Sequence, residues 1–203
     1  MNKNPTLSVA RAAEIFEEAL SARRSYTDGS DNEFFKASDV WKYLADGVTG
    51  WKINLTKPTD GADFSRRAGV VSVGDLVTLT VPQEIWAGAE RGNGFCNHVL
   101  AHELGHLVCG HSAMSTRRFN NLAPGRFGLR IAPPNVQELE ADYAGVFFQC
   151  GVELLNRQLD AGFLARKAFA DPSYVRKAQM AVRLDRFQQL LNRPKPVRER
   201  VVL

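Results

Sequence analysis

All four histidines of the chain, His98, His102, His106 and His111, fall between positions 98 and 111, and two of them sit in the string His102-Glu103-Leu104-Gly105-His106. The flanking residues Val99, Leu100, Ala101, Leu107 and Val108 are uncharged, so the stretch from about Phe95 to Cys109 reads as one helix. On a helix, positions i and i+4 project from one face, and the imidazoles of His102 and His106 can converge on one tetrahedral cation. Glu103 stands beside them, placed to deprotonate a water activated by that cation.

A hydrolytic zinc takes three protein ligands, so the two histidines need a partner from elsewhere in the chain. The segment Glu138-Leu139-Glu140-Ala141-Asp142 offers it on a second helix, opened by a capping-box pattern of Asn135 and Glu138 and running to about Leu159. Glu138 is the expected third ligand, and Asp142, one turn along the same face, is placed to accept the remaining ring N–H of His102. Glu140 points elsewhere by helical geometry and reads as solvated or ion-paired, with ligation as its alternative. His111, beyond Gly110, is a rival third ligand, or a residue of the cleft rim that helps hold an oxyanion. His98 extends the His102/His106 face by a turn, as a cleft residue or a satisfied core histidine. Tyr143 is a candidate oxyanion donor beside Asp142, against the plainer reading of a packed aromatic. The expected cofactor is one Zn²⁺ per chain.

With 203 residues and 44% apolar composition, one core is expected, and a single domain over 1–203 with residues 1–7 and 192–203 flexible. Residues 8–24 predict an amphipathic helix capped by Ser8, and a second begins at Ser38 and ends near Gly47. WKINLT from Trp51, GVVSV from Gly69 and LVTLTV from Leu76 read as strands, the last two joined as a hairpin through Gly74-Asp75, and Pro82 ends the third. Residues 112–135, with a short strand at GLRIA, read as a long loop that gates the site. Asp171-Pro172 opens a last helix whose stripe runs from Val175 through Ala178, Val182 and Phe187 to Leu190 and Leu191.

No stretch reaches the roughly 18 apolar residues a membrane span needs. The N-terminus lacks a secretory pattern, and Cys96, Cys109 and Cys150 follow no disulfide spacing, which together point to a cytoplasmic protein with reduced thiols. Part of the net charge of +4 lies in Arg193, Lys195, Arg198 and Arg200. They read as a mobile basic tail, with nucleic-acid contact as the alternative.

Through HVLAHELGHLVCGH from His98 and QELEADYAG from Gln137, the chain resembles the ImmA/IrrE family of metallopeptidases. Asp142 stands where that family more often has asparagine, and so the segment is also similar to that of membrane-bound HtpX-like peptidases. The resemblance covers about residues 40–190 and implies an α+β fold, a small and mainly antiparallel sheet packed on a helical zincin-like core. It also implies a metalloendopeptidase whose protein substrate is a helix-turn-helix transcriptional repressor of stress-response or mobile-element genes. The competing expectations are a non-catalytic, metal-stabilised regulator that binds a repressor or DNA, and a toxin-like peptidase with another target.

Overall fold

The computed structural model describes residues 6–31, 33–57, 68–111 and 136–193. These form an α+β fold in the order α1 (Val9–Tyr26), α2 (Ala37–Gly47), β1 (Trp51–Thr56), β2 (Gly69–Val73), β3 (Leu76–Pro82), α3 (Gln83–Glu90), α4 (Gly94–Val108) and α5 (Val136–Cys150). A 3-10 turn (Gly151–Leu155) follows, then α6 (Ala161–Lys167), α7 (Pro172–Val182) and α8 (Asp185–Leu191). No helix among the described residues is long and apolar enough to cross a membrane. The loop at 112–135, its GLRIA strand, the capping residue Asn135 and the basic tail beyond Arg193 lie outside the described residues.

The sheet departs from the mainly antiparallel expectation, because its strand order is β1-β3-β2 and the two pairings differ in sense. β2 and β3 are antiparallel across the expected Gly74-Asp75 turn, with Val73 opposite Leu76 and Gly74 at φ +58°. β1 runs parallel to β3, from Trp51 opposite Val77 to Thr56 opposite Pro82, and does not pair with β2. β3 is the most apolar of the three and buries Val77, Leu79 and Val81, so the central place, with both edges paired, goes to it.

Several boundaries have local causes. Ser8 caps α1 by accepting from the backbone N–H of Arg11 at 3.1 Å. α2 starts one residue earlier than expected, and its first N–H, that of Ala37, is taken by the Asn97 carboxamide at 2.8 Å. α5 stops at Cys150, short of Leu159, because Gly151 turns to φ +59°. The buried guanidinium of Arg23 then caps its end by donating to the carbonyls of Phe148 and Gln149. The expected last helix is two. Five residues separate Val182 from Phe187, which would carry Phe187 about 140° off the stripe; an extended Leu184 breaks the helix and returns Phe187 to the core.

The core is shared by α1, α5 and α8, where Phe16 meets Phe147 and Phe187 edge-on with centroids 5.1 and 5.7 Å apart. α4 passes through the middle, held by polar bonds as well as packing. Asn97 donates to the carbonyls of Ala89 and Asn93, and the Trp41 indole N–H of α2 donates to Leu100 O at 3.0 Å.

α4 and α5 approach each other main chain to main chain. A methyl group on Gly105 would lie 2.3 Å from the Ala141 carbonyl oxygen, and one on Gly145 would lie 2.8 Å from Ala101 C and O. Two backbones meet here with no side chain between them. Alanine gains about 1 kcal/mol over glycine in helix propensity, while overpacking costs roughly 1–3 kcal/mol. Gly145→Ala is therefore expected to destabilise the protein in urea unfolding, whereas Gly47→Ala, in a helix with nothing within 4 Å, should leave stability unchanged or raise it. Equal stabilisation by both changes would contradict the close approach.

Candidate metal centre

α4 presents His102 and His106 beside the Ala101/Gly105 contact, and α5 presents Glu138 and Asp142 beside Ala141/Gly145. The two Nε2 atoms of His102 and His106 lie 3.1 Å apart. The Glu138 carboxylate reaches both, with Oε2 3.5 Å from His102 Nε2 and Oε1 3.6 Å from His106 Nε2. Ligands about 2.0–2.1 Å from a tetrahedral ion are separated by about 3.3 Å, so the three edges suit one small cation at their centre. These residues could hold a metal ion, and their chemistry, two imidazoles and a carboxylate, suits a borderline divalent one.

The partners of each side chain follow from the same two helices. Asp142 Oδ1 lies 2.7 Å from His102 Nδ1, which leaves Nε2 as the nitrogen that could hold a metal ion. His98 is buried near the same carboxylate oxygen, its Nε2 3.6 Å from Asp142 Oδ1 and its ring stacked on Tyr174 at 3.7 Å. His111 Nδ1 is 3.1 Å from His106 Nδ1, so it stands behind His106, away from the edge that faces Glu138. Tyr143 packs its ring against Phe147. Glu103 is buried beside His102, and its Oε2 accepts the backbone N–H of Val70, in β2, at 2.9 Å.

Two residues of this surround carry no clear sequence signal. Glu140 accepts from His111 Nε2 at 2.9 Å and from the Arg11 guanidinium of α1, with Nε to Oε1 at 3.1 Å and Nη2 to Oε2 at 3.4 Å. Nothing in the α1 sequence distinguishes Arg11 from its other basic residues, and Val70 takes part through its backbone alone. A second cluster, Cys109, His111 and Glu140, brings ligand-type atoms together. The three cysteines are free thiols, and burial pushes that of Cys109 up to about 12.

The electrostatics are those of a carboxylate-rich pocket. Burial alone would lower the His102 pKa, but its bonds to Asp142 and Glu138 and the charge of Glu103 outweigh burial and hold it up at about 10. Burial raises the Asp142 carboxyl, yet its bond to His102 and the nearby His98 imidazole keep it well below the usual range. Glu140 is likewise held low by Arg11 and His111 against the effect of burial.

No family model, curated protein or solved structure matches the chain.

A cation entering the triangle must displace the proton that His102 holds below pH 10. Each pH unit from 7 upward should then strengthen metal binding about tenfold, levelling off near the His102 value. Calorimetric titration with zinc at pH 7.5, in two buffers of different ionisation heat, is expected to show about one proton released per ion. Release of none would mean that His102 is already neutral before the ion enters, and that its carboxylate partners do not hold a second proton on the ring.

Proposed function

We propose that the chain is a zinc-dependent endopeptidase, with His102, His106 and Glu138 as ligands and Glu103 as the proton carrier. The observation that carries this reading is the triangle of 3.1, 3.5 and 3.6 Å between three ligand-type side chains, with a buried glutamate next in sequence to the first. A purely structural ion needs no base at that place.

A zinc ion held there supplies Lewis acidity, polarising a peptide carbonyl and lowering the pKa of a water brought beside it. The protein does the rest. Asp142 keeps His102 in the Nδ1–H tautomer, so that the Nε2 lone pair faces the cation. Glu103 takes a proton from the attacking water on its carboxylate and delivers it to the departing amine. Its bond to Val70 N–H fixes where that carboxylate stands.

The same bond supports an extended peptide as substrate. Among the described residues β2 has one strand neighbour, β3, and Val70 N–H is directed away from it toward Glu103. The outer edge of β2 therefore runs beside the site, where a peptide can add as a further strand. On the resemblance to ImmA/IrrE peptidases, the proposed substrate is a helix-turn-helix transcriptional repressor, and the free thiols fit a reducing, cytoplasmic setting.

Glu103→Gln preserves shape and an acceptor for Val70 N–H but cannot carry the proton. With a proteome-derived peptide library read by mass spectrometry, the zinc-loaded wild type is expected to cut. The variant should bind zinc equally and cut at least about 100-fold more slowly. Undiminished cleavage by the variant would remove Glu103 from the mechanism; zinc binding without any cleavage by the wild type would favour the non-catalytic regulator.

A further inference from the structure

We infer that Glu140, clamped by Arg11, positions the metal ligand His106 through His111, in a relay that ties the N-terminal helix to the metal centre. This rests on the proposed ligand set, in which His106 binds through Nε2.

Each link follows from donors and acceptors. A neutral imidazole that ligates through Nε2 carries its proton on Nδ1. His106 Nδ1–H then needs an acceptor, and the atom 3.1 Å away is His111 Nδ1. That nitrogen accepts only when the His111 proton is on Nε2, and His111 Nε2 lies 2.9 Å from Glu140 Oε2. The carboxylate can only accept, so it selects the His111 tautomer, and His111 selects that of His106. Arg11 fixes the carboxylate with a bond to each oxygen. Glu140 and His111 are well shielded, with side chains 12% and 7% exposed, so water does not readily replace either link.

His102 and His106 are thus supported differently. His102 gives its proton directly to Asp142, on the same helix as Glu138. His106 reaches a carboxylate only through a second histidine, and that carboxylate, Glu140, faces the other side of α5. The alternative occupant of this corner, a second ion on Cys109, His111 and Glu140, would need a thiolate and would compete with Arg11 for the carboxylate.

Glu140→Leu tests the order of donors, because glutamine could keep the link by turning its amide oxygen to the Oε2 place, where both His111 Nε2 and Arg11 Nη2 donate. With leucine no acceptor holds the His111 proton on Nε2, and His111 no longer presents a fixed acceptor to His106 Nδ1–H. Zinc affinity, measured by chelator competition, is expected to fall roughly ten- to a hundredfold in Glu140→Leu and in His111→Phe. His111→Gln, which restores an acceptor, should recover part of it.

In the unmutated zinc-loaded protein, ¹H–¹⁵N spectra of labelled histidines are expected to show protons on His106 Nδ1 and His111 Nε2. Wild-type affinity in both Glu140→Leu and His111→Phe, a proton on His111 Nδ1, or a second zinc equivalent lost with Cys109→Ser would each overturn the relay while leaving the three-ligand site standing. Failure of the site itself is read separately, as zinc retained in Glu138→Ala or absent from wild type. A merely structural role for Glu140 would lower the melting temperature of the zinc-free variant with no change in zinc affinity, and would also overturn it.

Discussion

The structure depends on two helices meeting backbone to backbone. Ala101 and Gly105 on α4 and Ala141 and Gly145 on α5 are each spaced by four, so each pair lies along one ridge. At Gly105 and Gly145 a Cβ would come within 2.3 to 2.8 Å of the opposing main chain, so a larger residue there must push the helices apart. The candidate ligands occupy the positions next to these ridges. His102 and His106 follow Ala101 and Gly105 by one residue, and Glu138 and Asp142 precede Ala141 and Gly145 by three. Contact and chemistry therefore share one interface, and a shift of the helices by a few tenths of an ångström is a shift of Glu138 against both imidazoles.

That interface would be costly if its polar groups were unpaired, since each buried orphan costs about 1–3 kcal/mol. The surrounding elements supply partners one at a time. Asp142 serves His102, Val70 of β2 serves Glu103, and His111 with Glu140 serves His106. The sheet and α1, neither of which contributes to the His102, His106 and Glu138 group, thereby become part of the site. Arg11 also meets Glu14 and Glu18 on its own helix, at 3.3 and 3.2 Å, but those pairs are more exposed and worth little beside the one with Glu140.

Features set by local spacing were legible in the sequence. The His102/His106 pair, the one-turn step from Glu138 to Asp142, the Ser8 cap and the Gly74-Asp75 turn all depend on residues within five positions of each other. Strand order was not, because the sense of the β1–β3 pairing depends on how a long connection returns, and the hairpin signal fixes only the β2–β3 pair. The short helices α3 and α6 leave a fainter trace, although Ile85, Trp86 and Ala89, and Asp160 with Leu164 and Ala165, are spaced for helices that bury one side. Glu140 shows the limit most plainly. Helical geometry turns it about 200° from Glu138, and it is ion-paired, one of the readings its position allowed; that Arg11 and His111 lie on that side comes only from tertiary packing.

X-ray absorption at the zinc edge, on wild-type protein loaded with one equivalent, addresses the central claim directly, since it reads the ligand atoms themselves. The account predicts a shell of nitrogen and oxygen at about 2.0–2.1 Å with imidazole scattering from two histidines and no sulfur. A sulfur neighbour at about 2.3 Å would place the ion on Cys109, with His111 and Glu140, and would contradict the assignment of the α4–α5 crossing as the metal centre.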